Sequence, residues 1–96
     1  MVNFNSDEID KALITLAIER TLLDMSKKAY EEVGNRLYKK HGCYFMDCLE
    51  HPEYLTEILK EIFGNSSTLI VESIKNTLHE SKDKKTISRF LAQISE

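Results

Sequence analysis

Four residues of metal-binding or nucleophilic type lie close together in the chain: His41, Cys43, Cys48 and His51. Zinc takes tetrahedral sets of cysteine and histidine ligands, and a cysteine beside a histidine is also the start of a nucleophilic pair. Structural zinc sites usually pair their ligands as Cys-x2–4-Cys with a second, distant pair. This segment instead has His-x-Cys and Cys-x2-His in one short loop. The spacing therefore predicts free thiols and no metal site. These four residues are only weak candidates for metal ligands.

The remaining polar patterns do not indicate catalysis. A cysteine nucleophile needs a base and an orienting group, and no oxyanion loop or substrate pocket is indicated near Cys43 or Cys48. The sequence contains no Gly-x-Gly-x-x-Gly or Walker loop to hold nucleotide phosphates. The carboxylate pair Glu31–Glu32 has basic residues at helical spacing, which is typical of a solvated helix face. We predict that the chain is not an enzyme and binds no cofactor.

The elements that must position these residues are helices. The 96 residues include only 3 glycines and 1 proline, and apolar residues recur at helical spacing without clean alternation. The sequence predicts one all-α domain over residues 1–96, a compact bundle of four principal helices plus a C-terminal helix at 84–96. The predicted boundaries are Asn5 or Ser6 to about Asp24, Ser26 to Lys40, Pro52 to Gly64, and a fourth helix capped by Asn65, Ser66 or Ser67 that ends near Glu80.

Further features of the helices and their connections are predicted from residue type. Gly34 lies inside the second helix, where we expect a neighbouring helix to approach closely, and Gly42 caps that helix. Tyr44, Phe45 and Met46 are expected to form an apolar plug beneath the helices, and Asp47 to cap a single turn through Glu50. The fourth helix is expected to face inward with Leu69, Ile70, Ile74 and Leu78.

The first predicted helix carries two apolar stripes. One comprises Ile9, Ala12, Leu13, Leu16, Ala17 and Leu23, and the other Ile14, Ile18, Leu22 and Met25. A helix with one wetted face needs only one stripe. With the first stripe assigned to the core, Ile14, Ile18, Leu22 and Met25 are the predicted interface residues of a homodimer. The alternative is that both stripes pack within one monomer.

The charge balance bears on partners and location. The net charge is −3 and the isoelectric point about 5.6, which disfavours a nucleic-acid partner. The residues available for phosphate contacts are Arg36, Lys39, Lys40, Lys82, Lys84 and Lys85. No apolar run is long enough for a transmembrane helix, and the first residues lack the pattern of a signal peptide. We expect a cytoplasmic protein with no membrane association.

The stretch from His41 to Leu55 also carries a family resemblance. Its Asp-Cys-Leu-Glu-His-Pro-Glu-Tyr-Leu core, followed by Ile-Leu-Lys-Glu-Ile-Phe-Gly, is similar to the Nitrosopumilus-type output domain, a small archaeal family found alone or attached to signalling proteins. The resemblance covers about Lys11 to Leu78. It implies a helical module of unassigned biochemical activity that relays signals by contact with partners or DNA, and it supplies no catalytic residue.

Two functions remain after these exclusions. The first is a non-enzymatic helical interaction or signal-output module that forms a homodimer and also contacts a signalling protein. The alternative is a DNA-binding transcriptional module, whose binding would weaken steeply with salt. The sequence names neither the partner nor the signal.

Overall fold

Every regular element that the computed structural model describes, over residues 6–79 and 85–95, is helical. The five α-helices are α1 (Ser6–Met25), α2 (Lys27–His41), α3 (Pro52–Phe63), α4 (Ser67–Thr77) and α5 (Lys85–Ile94). A 3-10 helix (Phe45–Leu49) joins α2 to α3, and a shorter one (Gly64–Ser66) joins α3 to α4. The radius of gyration is 12.8 Å, close to the ~12.5 Å of a compact domain of this length. The predicted all-α bundle is confirmed.

The helix boundaries follow local capping chemistry. The Ser26 hydroxyl accepts a hydrogen bond from the Ala29 N–H at 3.0 Å, which satisfies a free donor of the first turn of α2. Gly42 ends α2 with φ 65°, in the left-handed region that a residue without Cβ adopts most easily. Pro52 starts α3, where its missing N–H costs nothing. These boundaries confirm the predicted ones to within about a residue.

The connection between α2 and α3 differs from the predicted plug. Phe45 is half-buried, but Tyr44 and Met46 are exposed. The Asp47 carboxylate accepts a hydrogen bond from the Tyr44 N–H at 2.8 Å, so the turn begins before Asp47 rather than at it. Successive side chains of a 3-10 helix point about 120° apart. Only one of the three neighbours therefore faces the bundle.

Helix α4 is shorter than predicted, and one of its four predicted inward residues is exposed. The helix ends at Thr77, and residues 80–84 lie outside the described ranges. Ile70, Ile74 and Leu78 are buried as expected, whereas Leu69 is 70% exposed and Val71 takes its place in the core. Because a helix turns about 100° per residue, Leu69 points away from the face that the other apolar residues share.

The core is formed around α1, which contacts α2, the first 3-10 helix, α4 and α5. It draws on every α-helix, and its largest fully buried side chains are Ile14, Ile18, Leu22, Val33, Leu37, Cys48, Leu55, Ile58, Leu59, Ile74, Ile87 and Phe90. Ile87 and Phe90 place α5 in the same core as α1 and α3. The C-terminal helix therefore folds back onto its own domain.

The two stripes of α1 differ from the predicted assignment. Ile14, Ile18 and Leu22 are 0% exposed in the monomer core, so the prediction that they form an interface is wrong. Met25 is exposed, but it lies at the end of the helix. The stripe predicted to face the core is divided: Ala17 is buried and Leu13 packs against the core, whereas its other members are exposed. Within the described residues, no helix has the length and apolar character needed to cross a membrane.

Candidate functional site

The two histidines of the sequence cluster are held by other partners. His41 Nε2 lies 2.9 Å from a carboxylate oxygen of Glu57, and His51 Nδ1 lies 3.3 Å from one of Glu53. Both imidazoles stack on the Tyr54 ring, with centroid distances of 3.9 and 4.7 Å. Each imidazole is therefore held by the Tyr54 ring and by a different carboxylate.

The two cysteines are free thiols with backbone partners. The Cys43 thiol donates to the His41 carbonyl at 3.4 Å, and the Cys48 thiol contacts the Tyr44 carbonyl at 4.0 Å. Burial raises the pKa of Cys48 to about 12, with smaller contributions from Cys43 and Asp47. Burial and Asp47 also raise the pKa of Cys43. Since the thiolate is the nucleophile and metal ligand, both residues are poorly suited to either role at neutral pH. Across the described residues, no group of three or more His, Cys, Asp or Glu side chains is placed to hold a metal ion.

We expect Cys48 to resist alkylation in the folded protein. In a Cys43→Ser background, iodoacetamide should label Cys48 at least ~100-fold more slowly in buffer near pH 8 than in guanidinium chloride, because burial removes both access and thiolate. Mass spectrometry of quenched time points measures the two rates. The Cys48→Ser variant, in which only the half-buried Cys43 remains, is the comparison. Equal Cys48 rates in buffer and denaturant would show that this thiol is not part of the packed core.

Two of the six basic residues proposed for phosphate contacts, Arg36 and Lys40, are balanced by carboxylates. Arg36 lies 3.7 Å from Glu32 and 3.5 Å from Glu61, and Lys40 pairs with both Glu57 and Glu61. The Glu61 and Glu57 carboxylates raise the pKa of Lys40, and Lys40 and then His41 lower the pKa of Glu57. Lys39 and Lys85 are exposed on different helices, whereas Lys82 and Lys84 lie outside the described residues. The paired charges favour a neutral network between α2 and α3 over a basic surface.

Four exposed apolar residues of α1 share one helix face, here called the α1 stripe. It consists of Ile9, Ala12, Leu16 and Leu23, whose spacings of three, four and seven residues place them in line on a helix. Ile9 is 43%, Leu16 60% and Leu23 49% exposed. These three large apolar side chains share one helix face, whereas exposed apolar residues on an ordinary surface are often scattered singly. The α1 stripe is the first candidate site.

A groove of about 620 Å³ between α1, α2 and the first 3-10 helix is the second candidate site, here called the aromatic groove. It is lined by Thr15, Glu19, Tyr30, Glu31, Gly34, Asn35, Tyr38, Tyr44, Phe45 and Met46. The rings of Tyr30 and Phe45 stack with centroids 5.4 Å apart, and those of Tyr38 and Tyr44 are also 5.4 Å apart. Two aromatic pairs thus border one groove.

Gly34 gives the Phe45 ring room to lie close to α2. A Cβ added at this position would lie 3.3 Å from Cε2 of Phe45, so the missing side chain lets the ring approach α2. The close approach predicted at Gly34 is therefore present, but the neighbour is an aromatic ring and not a helix. The signal for the groove in the sequence is Tyr30, Gly34 and Tyr38 at successive four-residue steps. The same spacing is equally typical of ordinary helix packing, which is why it did not predict a groove.

The charges at the aromatic groove are of one sign. The Tyr30 hydroxyl donates to a carboxylate oxygen of Glu19 at 2.9 Å, and this hydrogen bond is the main cause of the raised pKa of Tyr30. Glu31 lies beside it on α2. None of the described residues that line the groove is lysine, arginine or histidine. The groove therefore combines aromatic faces with carboxylates.

The comparisons with known proteins give no relative from which a role for either candidate site could be inferred. Comparison with models of protein families, with curated proteins and with solved structures gave no match. The resemblance of His41–Leu55 to the archaeal output-domain family stays a prediction. The function is therefore argued from the α1 stripe and the aromatic groove.

Proposed function

We propose that this domain is a non-enzymatic interaction module that forms a homodimer through the α1 stripe. The observation that carries the proposal is the exposure of Ile9, Leu16 and Leu23 on one face of a helix whose opposite face already fills the core. Full burial of a leucine or isoleucine side chain contributes about 1.5–3 kcal/mol. A partner that covers this face therefore recovers free energy that the monomer leaves unused.

The positions of these residues suit a second copy of the same helix. Ile9 precedes Leu16 by seven residues and Leu23 follows it by seven, so the stripe is symmetric about Leu16. When two α1 helices pack antiparallel around a two-fold axis at Leu16, Ile9 of each copy lies opposite Leu23 of the other copy. Seven-residue spacing is also the repeat that keeps two helices in contact along their length. A self-complementary patch of this kind is what a two-fold symmetric interface requires.

The residues between the large apolar positions are compatible with this packing. In the same register, the small Ala12 lies opposite Arg20 of the second copy. Arg20 is exposed, and its aliphatic stem is able to lie over apolar surface while the guanidinium stays in water. The stripe from Ile9 to Leu23 is about 21 Å long at the rise of an α-helix. The contact thus extends over most of α1.

One further observation supports an interaction module over the DNA-binding alternative. Arg36 and Lys40 are paired with carboxylates, so the basic end of α2 offers little net positive charge. The resemblance to an output-domain family implies signal relay by contact with partners or DNA, so it agrees with either function, and a homodimer is one way to present a contact surface. The signal-output role is part of this proposal and depends on that resemblance.

The test is the oligomeric state of matched charge variants. Analytical ultracentrifugation of the native chain should give a mass that rises from monomer to dimer with concentration. Leu16→Asp should remain monomeric with an unchanged circular dichroism spectrum, because two carboxylates would meet at the two-fold axis. Leu69→Asp is the control: it places the same charge on an exposed leucine of α4, outside the stripe, and should still form dimers.

Two results would contradict the homodimer. One is a native chain that stays monomeric at all concentrations tested. The other is a Leu16→Asp variant that forms dimers as readily as the control. An electrophoretic shift of duplex DNA at low ionic strength, lost as salt rises, would instead favour the DNA-binding alternative.

A further inference from the structure

The residues that line the aromatic groove are not part of the proposed homodimer interface. It borders α1 only through Thr15 and Glu19, neither of which belongs to the α1 stripe. Along α2, Tyr30 and Tyr38 are eight residues apart, which is about 12 Å at the rise of an α-helix. The groove therefore has two ends. Glu19, Glu31 and Tyr30 lie at one, and Tyr38 and Tyr44 at the other.

The end at Glu19 is arranged for a cation. The Tyr30 hydroxyl fixes one oxygen of the half-buried Glu19 carboxylate, and Glu31 adds a second negative charge nearby. Aromatic faces attract cations through the ring quadrupole, and carboxylates attract them directly. Lys27 lies 3.9 Å from Glu31, but both side chains are largely exposed, so this pair is weak and easily displaced.

The end at Tyr38 is arranged for an apolar side chain. The Tyr38 and Tyr44 rings are both exposed and lie beside the exposed Met46. Tyrosine and methionine are enriched at protein interfaces, and tyrosine provides contact area with little loss of conformational freedom. This end carries no charged side chain among its described lining residues.

We infer that the aromatic groove binds a basic segment of another protein, with an arginine against Glu19 and Glu31 and an apolar side chain against Tyr38 and Tyr44. Arginine fits better than lysine because its planar guanidinium stacks on rings and forms paired hydrogen bonds with carboxylates. A peptide fits better than a small molecule because the groove is open along its length, whereas small-ligand pockets bury most of the ligand. In an extended peptide, residues four apart share a face and span about 13 Å.

The probe for this site is the peptide acetyl-Arg-Ala-Ala-Ala-Leu amide. Titration into the ¹⁵N-labelled native chain should give saturable amide shifts at Glu19, Tyr30, Gly34 and Tyr38. The same peptide with citrulline, the neutral analogue of arginine, should bind at least ~10-fold more weakly, because it cannot form the charge-assisted hydrogen bonds. Higher salt should weaken the arginine peptide and leave the citrulline peptide nearly unchanged.

A pair of variants separates the groove from general charge. Glu19→Gln keeps an oxygen for the Tyr30 hydroxyl but removes the charge, and should weaken the arginine peptide ~5-fold or more. Glu72→Gln makes the same change of net charge on the exposed surface of α4 and should bind as the native chain does. Leu16→Ala, which truncates the stripe without adding a charge beside Glu19, should also bind normally. This result keeps failure of the homodimer distinct from failure of the groove.

The inference is overturned by any of four results. The first is the absence of saturable shifts at the groove. The second is equal affinity for the arginine and citrulline peptides, which would indicate apolar contact alone. The third is an equal loss of binding in Glu19→Gln and Glu72→Gln, which would indicate attraction by net charge. If dilution without peptide reproduces the groove shifts, the occupant is a second copy of the chain and the peptide proposal is wrong.

Discussion

Ile18→Ala is expected to lower the free energy of unfolding by about 2–5 kcal/mol, whereas Leu16→Ala is expected to change it by less than ~0.5 kcal/mol. Both residues lie on α1, two positions apart. Ile18 is 0% exposed and its truncation leaves a cavity that the surrounding helices fill only in part. Leu16 is largely exposed, and alanine is at least as good a helix former there as leucine.

Urea unfolding followed by circular dichroism measures this difference. The two variants should show similar slopes against denaturant and widely different midpoints. The experiment is done at low protein concentration, because a homodimer that depends on Leu16 would otherwise add a concentration-dependent stabilisation. If Leu16→Ala is the more destabilising of the two, the stripe that contains Leu16 is the buried one.

Phe90→Ala is expected to cost about 3–5 kcal/mol. Phe90 is among the largest fully buried side chains, and it brings α5 onto the core that α1 and α3 share. Domains of this size have a total stability of only about 5–15 kcal/mol. The loss is therefore a large part of the whole, and we expect the melting temperature to fall by more than ~10 °C.

The neighbouring Arg89 supplies the control for Phe90. Its side chain is exposed on the same helix, so Arg89→Ala should melt within a few degrees of the native chain. Differential scanning calorimetry of both variants and the native chain gives the comparison. Similar melting of Phe90→Ala and Arg89→Ala would mean that α5 is an appendage rather than part of the core.

The aromatic groove shows why the sequence predicts some features and misses others. Tyr30, Gly34 and Tyr38 are evenly spaced on α2, and this spacing can be seen in the sequence alone. Their partner Phe45 comes from a different element, and the ring reaches α2 only because the 3-10 helix turns it inward. A binding surface assembled from two or more elements depends on how those elements pack. The spacing within one of them is not enough to predict it.

The His41–His51 segment illustrates the same limit for chemistry. Four residues of metal-ligand type lie close together in sequence, and their unfavourable spacing already argues against zinc. Only the structure shows that Tyr54, which comes from α3, stacks with both imidazoles, and that burial raises the pKa of the Cys48 thiol. The four residues are close in sequence, but the structure does not bring their reactive atoms together.

The sequence by itself determined the fold class and the ends of the helices. Ser26, Gly42 and Pro52 act through hydrogen bonds and backbone angles within one helical turn. Their effect can therefore be predicted from neighbouring residues alone. The tertiary structure decided which stripe of α1 is buried. Both stripes have helical spacing and similar apolar character, and burial depends on where α2, α4 and α5 pack. That choice placed Ile14, Ile18 and Leu22 in the core and left the α1 stripe exposed as the surface on which the proposed function depends.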